Sequence, residues 1–143
     1  MIAKEYLQQL QKINMLINQR MQEKADLSAM SRCIASFDYT KDRVQTSPLE
    51  AASFTKTIEK IVVLEEEING LIQEYVDLKH KIIGEIQGLK NCKFIEILHK
   101  KYVEGKGLER VADEMGYTFQ YIVLLHGNAL KEFSNKYSIY FQC

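Results

Sequence analysis

Residues 105–130, with the sequence GKGLERVADEMGYTFQYIVLLHGNAL, decide the fold because they predict two short helices separated by a tight turn. The first helix is expected over residues 108–115, where apolar side chains recur at the i, i+3, i+4 and i+7 spacing of one helix face. These side chains are Leu108, Val111, Ala112 and Met115. The layout is typical of a helix-turn-helix, in which the two helices cross steeply.

The turn between the two helices has the residue types that this motif needs. Ala112 is small enough to let the helix backbones approach each other, and Gly116 can adopt the positive φ that ends a helix. Thr118 is a suitable N-cap for the second helix, which we expect over residues 119–133. The buried face of that helix is predicted to carry Ile122, Leu125, Ala129, Leu130 and Phe133.

A further helix, expected over residues 91–103, precedes the pair. Its apolar residues would complete a three-helix core, and they are Phe94, Ile95, Ile97, Leu98, Tyr102 and Val103. The three helices together predict a C-terminal domain over residues 90–143. The helix that follows the turn would be its recognition helix.

The N-terminal part of the chain predicts two long helices. The first, from Ala3 to about Ser36, has apolar residues at helical spacing: Tyr6, Leu10, Ile13, Ile17, Met21, Leu27, Met30 and Ile34. A polar loop is expected over residues 37–49, with Ser47 and Pro48 as the entry to the second helix.

The second long helix repeats steps of four and three almost without a break. The residues that follow this spacing are Phe54, Ile58, Ile61, Leu64, Ile68, Leu71, Tyr75, Leu78, Ile82, Ile86 and Leu89. Such a sustained pattern needs a partner helix. We therefore expect an antiparallel, coiled-coil-like hairpin over residues 1–89, and a dimeric coiled coil through the second helix is the alternative.

Several stretches of the sequence resemble region four of bacterial sigma factors. They are ILHKKYVEGKGLERVADEMGYT at residues 97–118 and LHGNAL at residues 125–130. DRVQTSP at residues 42–48 and YLQQLQKINMLI at residues 6–17 extend the resemblance to nearly the whole chain. The chain resembles short phage proteins with a sigma-factor-like C-terminal domain, related in style to ArpU-type and RinA-type late-transcription regulators.

This resemblance implies an all-α transcription regulator in the cytoplasm of a bacterial host, which binds promoter DNA, host RNA polymerase or both. The DNA- or partner-binding residues would lie on the recognition helix and its cap: Thr118, Phe119, Gln120, Tyr121, Val123, Leu124, Asn128 and Lys131. Contacts to DNA phosphates would come from Lys100, Lys101, Lys106 and Arg110.

The composition of the recognition helix favours a second hypothesis. Base reading and phosphate contact use cationic and polar donors, but no arginine or lysine lies between Thr118 and Leu130. An exposed apolar cluster of Phe119, Val123 and Leu124 would suit contact with protein. The alternative function is therefore a protein-interaction module, an inhibitor or adaptor of a host complex, on a helix-turn-helix fold that has lost DNA binding. A second copy of the chain is another possible partner.

Composition and charge argue against other classes of protein. Nineteen basic and nineteen acidic residues give a formal net charge of zero, so any DNA contact must be local. The three cysteines have no CxxC spacing and are expected to be reduced thiols. No apolar run approaches the ~20 residues of a membrane span, and the charged N-terminus is not a signal peptide.

No pattern in the sequence predicts catalysis, a metal site or a cofactor. Glu65, Glu66 and Glu67 are consecutive, so their carboxylates cannot converge on one point and are expected on a solvated face. The three histidines stand far apart, without a nucleophile or a carboxylate at motif spacing. His126 is expected to support core packing, with phosphate contact as the alternative. We therefore expect that this chain is not an enzyme.

Overall fold

The computed structural model describes residues 2–40 and 48–141, with side chains described for residues 2–32 and 52–141. All regular structure in these residues is helical, as the sequence predicts. The α-helices are α1 (Ala3–Thr40), α2 (Pro48–Gln87), α3 (Cys92–Leu98), α4 (Leu108–Met115) and α5 (Phe119–Lys136). A π-helical turn, His99–Val103, follows α3, and a short 3-10 helix, Ser138–Tyr140, follows α5.

α4 and the turn after it agree with the prediction. The helix has the predicted bounds, and Gly116 ends it with φ 75° and ψ 30°, in the left-handed region. The amide N–H groups of Gly116 and Tyr117 both donate to the Ala112 carbonyl, at N···O distances of 2.9 and 3.0 Å. Ala112 and Val111 are the buried residues of this helix. The positive φ and the small buried residue are both confirmed.

α5 begins directly after Thr118, as predicted. The Thr118 hydroxyl oxygen accepts a hydrogen bond from the Tyr121 amide N–H at 3.2 Å, which satisfies one of the unpaired donors at the start of the helix. Leu130 is half-buried, and the helix continues three residues beyond Phe133. The other predicted core residues are buried: Ile122, Leu125, Ala129 and Phe133.

The helix predicted over residues 91–103 changes its geometry part of the way along. Asn91 caps its start through the side-chain oxygen. From His99 the backbone widens into the π-helical turn, in which the Glu104 N–H donates to the His99 carbonyl at 3.0 Å. Gly105, with φ 73°, follows this turn. Apolar spacing does not reveal such a turn, because no special residue type is needed to form it.

α1 and α2 are the two long helices that the sequence predicts. At the start of α1 the Glu5 carboxylate accepts a hydrogen bond from the Ile2 amide N–H at 3.2 Å. The helix extends through Thr40 rather than ending near Ser36, because residues 37–40 contain neither glycine nor proline. α2 starts at the predicted proline, whose fixed φ suits a first helical position. Most of the predicted loop, residues 41–47, lies outside the described residues.

The chain forms two compact units. Unit 1 comprises Met1–Asn14 and Tyr75–Cys143, and unit 2 comprises Met15–Glu74. The core of unit 1 takes residues from α1 and α2 as well as from the three C-terminal helices. α3 and α4 have only seven and eight residues, too few to enclose a core without further segments.

Polar contacts also join the separate segments of unit 1. The Tyr6 hydroxyl donates to the buried Glu85 carboxylate at 2.6 Å, and the Tyr137 hydroxyl donates to the Glu85 carbonyl at 2.6 Å. Burial and the neighbouring carboxylate raise the pKa of Tyr6, so this hydroxyl remains a donor. A Cβ at position 88 would lie 2.6 Å from the Tyr137 hydroxyl oxygen, so a larger residue there would require Tyr137 to shift.

In unit 2, ion pairs indicate that α1 and α2 run in opposite directions. Arg20 pairs with Glu67 at 3.4 Å and Lys24 pairs with Glu65 at 3.1 Å, so residue numbers fall along α2 as they rise along α1. Among the described side chains of this unit, the buried apolar residues are Ile17, Leu64 and Ile68.

Part of the predicted apolar seam of these helices is exposed. A strict seven-residue repeat drifts around a helix of 3.6 residues per turn, so seam positions can rotate away from the facing helix. The predicted seam residues that are exposed are Met21, Met30 and Ile58. Ile34 lies outside the described side chains.

Two glycine substitutions in unit 1 are expected to change stability in opposite directions. Gly116→Ala should lower the free energy of unfolding by about 1 kcal/mol, because alanine is strained at a φ of 75°. Gly127→Ala should raise it by up to about 1 kcal/mol, because a Cβ there meets no atom within 4 Å and alanine favours the helix. Urea unfolding of both variants measures the difference. Equal effects of the two substitutions would contradict the turn assignment.

Candidate functional site

The outward face of α5 is the most distinctive surface of unit 1. Four positions face the core, so the residues on the opposite side of the helix turn outwards. Phe119, Val123 and Leu124 are 48%, 44% and 62% exposed. No charged side chain occurs from Phe119 to Leu130. Each of these three side chains therefore presents apolar surface to solvent without a charge beside it on the helix.

The polar residues that the sequence predicts for this site lie on the same helix. Gln120, Asn128 and Lys131 are all exposed, so they can reach a ligand at this face. Thr118 serves as the helix cap, and its hydroxyl oxygen is occupied by the Tyr121 amide. The face therefore combines apolar side chains with two uncharged polar groups and a single lysine at its C-terminal end.

An aromatic pair with a lysine lies at the N-terminal end of this face. The rings of Tyr117 and Tyr121 are 4.8 Å apart between centroids, and both are exposed. The Lys93 ammonium lies 5.4 Å from the Tyr117 centroid and 5.9 Å from that of Tyr121. Hydrogen bonding with Tyr117 raises the pKa of Lys93, which therefore stays charged. Lys93 and Tyr117 were not predicted as site residues, because Lys93 is distant in sequence and no motif joins it to the turn.

Three of the four predicted phosphate-binding residues pair with one carboxylate. Lys106 donates to both oxygens of Glu114, at 2.8 and 2.9 Å. Lys100 lies 3.4 Å from the same carboxylate, and the Arg110 Nε lies 3.8 Å from it. Hydrogen bonding from Lys106 lowers the pKa of Glu114, so the carboxylate is charged at neutral pH.

A second carboxylate neutralises this cluster further. Glu104 lies 3.2 Å from the Lys106 ammonium and 4.0 Å from the His99 ring. Exposed ion pairs contribute little to stability, so a phosphate could displace them. The cluster of three cations and two carboxylates nevertheless has little net positive charge to attract DNA.

The fourth predicted phosphate-binding residue, Lys101, lies near α1. Its backbone carbonyl accepts a hydrogen bond from the Gln11 side-chain amide at 3.1 Å. Its ammonium, together with that of Lys4, contributes to lowering the pKa of His126. The surroundings of Lys101 therefore differ from those of the cluster around Glu114.

His126 is integrated into the packing of unit 1. Its Nε2 is joined to the Tyr102 hydroxyl by a hydrogen bond of 2.7 Å, and the two rings stack with centroids 5.6 Å apart. Burial, with smaller contributions from Lys101 and Lys4, lowers the pKa of His126 to about 4. Burial also raises the pKa of Tyr102 to about 12, so both groups are neutral at pH 7. A neutral, half-buried imidazole supports the structural interpretation of this residue.

Neither a group of metal ligands nor a membrane span is found in the part of the chain that the structure describes. Among the side chains described, those of residues 2–32 and 52–141, no three histidine, cysteine, aspartate or glutamate residues are grouped as metal ligands. None of the helices in these ranges has both the length and the apolar composition needed to cross a membrane.

Comparison of the chain with known protein families, with curated proteins and with solved structures found no match. The resemblance to region four of sigma factors therefore rests on the sequence pattern alone. The exposed face of α5 is the candidate site because of its geometry and composition.

His126 should make the protein less stable in acid. Its pKa is lower in the folded chain than the usual 6.5, so stability is fully present above pH 6.5 and is lost as the pH falls towards 4. His126→Gln removes the titrating group and keeps a hydrogen-bonding side chain. Urea unfolding at pH 7 and at pH 4.5 measures the loss of unfolding free energy between the two pH values. This loss should be larger in the wild type than in the variant by on the order of 1–2 kcal/mol. Equal losses would exclude this role.

Proposed function

We propose that this chain is a protein-interaction module built on a helix-turn-helix, and that the exposed face of α5 contacts the partner. The observation that carries the proposal is the composition of this face. Phe119, Val123 and Leu124 are exposed on this face, and the helix has no charge from Phe119 to Leu130. Apolar patches of this kind are typical of surfaces that bind protein.

The spacing of the apolar residues suits such contact. Phe119 and Val123 are four residues apart and share one side of the helix, while Leu124 extends the surface around it. An aromatic residue beside aliphatic neighbours is the usual composition of the centre of an interface, where polar groups form the rim. Gln120, Asn128 and Lys131 would form that rim.

The setting that we propose is transcription in a bacterial cell infected by a phage. It is supported by the resemblance to sigma-factor region four, and RNA polymerase or another protein of the host complex would be the partner. In this proposal α3, α4 and α5 form the helix-turn-helix, and α1 and α2 form the hairpin. The protein acts in the cytoplasm by binding, without catalysis.

Direct DNA binding is the second candidate function. It is favoured by the arrangement of α4, Gly116 and α5, and by two exposed amides, Gln120 and Asn128, that can hydrogen-bond to bases. We rank it second because three of the four predicted phosphate-binding cations are paired with Glu114 or Glu104.

Val123→Lys distinguishes the two functions because it should weaken binding to a protein partner but not binding to DNA. A lysine within an apolar interface should weaken partner binding at least about tenfold, whereas a lysine facing DNA should preserve or increase affinity. Partner contact can be measured with a photo-crosslinking amino acid at position 124 in the cells that carry the gene. DNA binding can be measured by mobility shift on the DNA upstream of the gene.

The same photo-crosslinker at Ile139, an exposed apolar residue outside α5, is the matched control. We expect a discrete crosslinked product from position 124 only, and its loss when Val123→Lys is added. A DNA shift in the wild type that strengthens with Val123→Lys, without any crosslinked protein, would overturn the proposal in favour of DNA binding. Gln120→Ala and Asn128→Ala should then weaken DNA binding by about 1–3 kcal/mol each.

A further inference from the structure

α2 has a second stripe of exposed residues, apolar at three of its five positions, which does not belong to its buried face. In unit 2 the buried or half-buried residues of α2 include Ile61, Leu64, Ile68 and Leu71. The residue directly after each of them is exposed, and successive residues of a helix are 100° apart. These exposed residues are Val62, Glu65, Asn69 and Ile72, and Ile58 continues the stripe by one turn.

The stripe has the spacing of a helix–helix contact. Its positions follow steps of four, three, four and three. This is the repeat with which the side chains of one helix pack between those of a neighbouring helix. Two contact faces about 100° apart on one helix are expected where the helix has two neighbours, as in a four-helix bundle. One neighbour is α1, which is joined to α2 by the pairs of Arg20 with Glu67 and Lys24 with Glu65.

We propose that the second neighbour is α2 of a second copy of this chain, packed in antiparallel orientation. In one register Val62 lies opposite the partner's Ile72, and Glu65 lies opposite the partner's Asn69. Two-fold symmetry repeats both pairs, so the contact is self-complementary. Each apolar residue meets an apolar residue, and each carboxylate meets an amide that can donate a hydrogen bond.

The carboxylate of Glu65, the charged residue of the stripe, favours the antiparallel orientation. A parallel pairing in register would place Glu65 opposite the partner's Glu65, and like charges that face each other are destabilising. The antiparallel pairing separates the two carboxylates. Lys24, 3.1 Å from Glu65 in the same chain, remains as the counter-charge of the carboxylate.

The length of the stripe sets the strength of the association. Residues 58–72 extend over about 21 Å of helix, which buries less area than a standard stable interface. The dimer should therefore be reversible and depend on protein concentration. This inference does not depend on the function proposed for α5, which lies in unit 1.

The chain offers a matched pair of variants to test the surface. Val62 and Val63 are adjacent valines that are 48% and 51% exposed, but Val63 lies on a different side of the helix, in a groove with Lys60 and Glu67. In sedimentation equilibrium from about 5 to 500 µM, Val62→Lys should raise the dimer dissociation constant at least about tenfold. Val63→Lys should leave it unchanged.

Asn69→Lys tests the orientation. In the antiparallel dimer it places an ammonium opposite the partner's Glu65, so association should tighten, whereas in a parallel dimer two ammonium groups would repel each other. Circular dichroism should show the same helical content for all variants, because every substituted residue is exposed. A monomeric wild type at the highest concentration, or equal effects of the two valine substitutions, would overturn the dimer. Weaker association of Asn69→Lys would overturn the antiparallel register.

Discussion

The burial of the apolar face of α5 is the contact on which unit 1 depends. Ile122, Ala129 and Phe133 are fully buried, in a cluster that includes Leu7 and Ile86 from the two long helices. α3 and α4 are too short to cover this face on their own. The position of α5, and therefore of its exposed face, is fixed by side chains from both ends of the chain.

The sequence predicts the local structure around Gly116 well, because each feature there depends on one residue type. A left-handed residue favours glycine, a helix cap favours threonine, and a close helix crossing favours alanine. Gly116 and Thr118 are found with the predicted geometry, and Ala112 is buried. The limits of the compact units were not predictable in the same way. These limits depend on which apolar faces pack against each other when they are more than 70 residues apart in the sequence. Helical spacing shows only that a face is apolar.

The candidate site was predictable as a set of exposed positions but not as an electrostatic environment. Exposure of Phe119, Val123 and Leu124 follows from the helical period. The pairing of Lys106 with Glu114 does not follow from the helical period, because the loop at residues 105–107 brings together groups that are eight residues apart. Only the pair of Arg110 and Glu114, four residues apart on one helix, follows a sequence rule. A charge count over residues 91–143, with seven basic and six acidic side chains, already shows that little net positive charge remains.

The division of unit 1 between the two ends of the chain has a consequence during protein synthesis. Residues 2–14 leave the ribosome before their partners in the core, which follow Met15–Glu74 in the sequence. At about 5–20 residues per second, the intervening segment alone takes roughly 3–12 s to translate. Leu7 and Leu10 are left without their native neighbours during this time. Until residues 75–141 have been synthesised, the apolar side chains of this N-terminal segment can make only transient, local contacts.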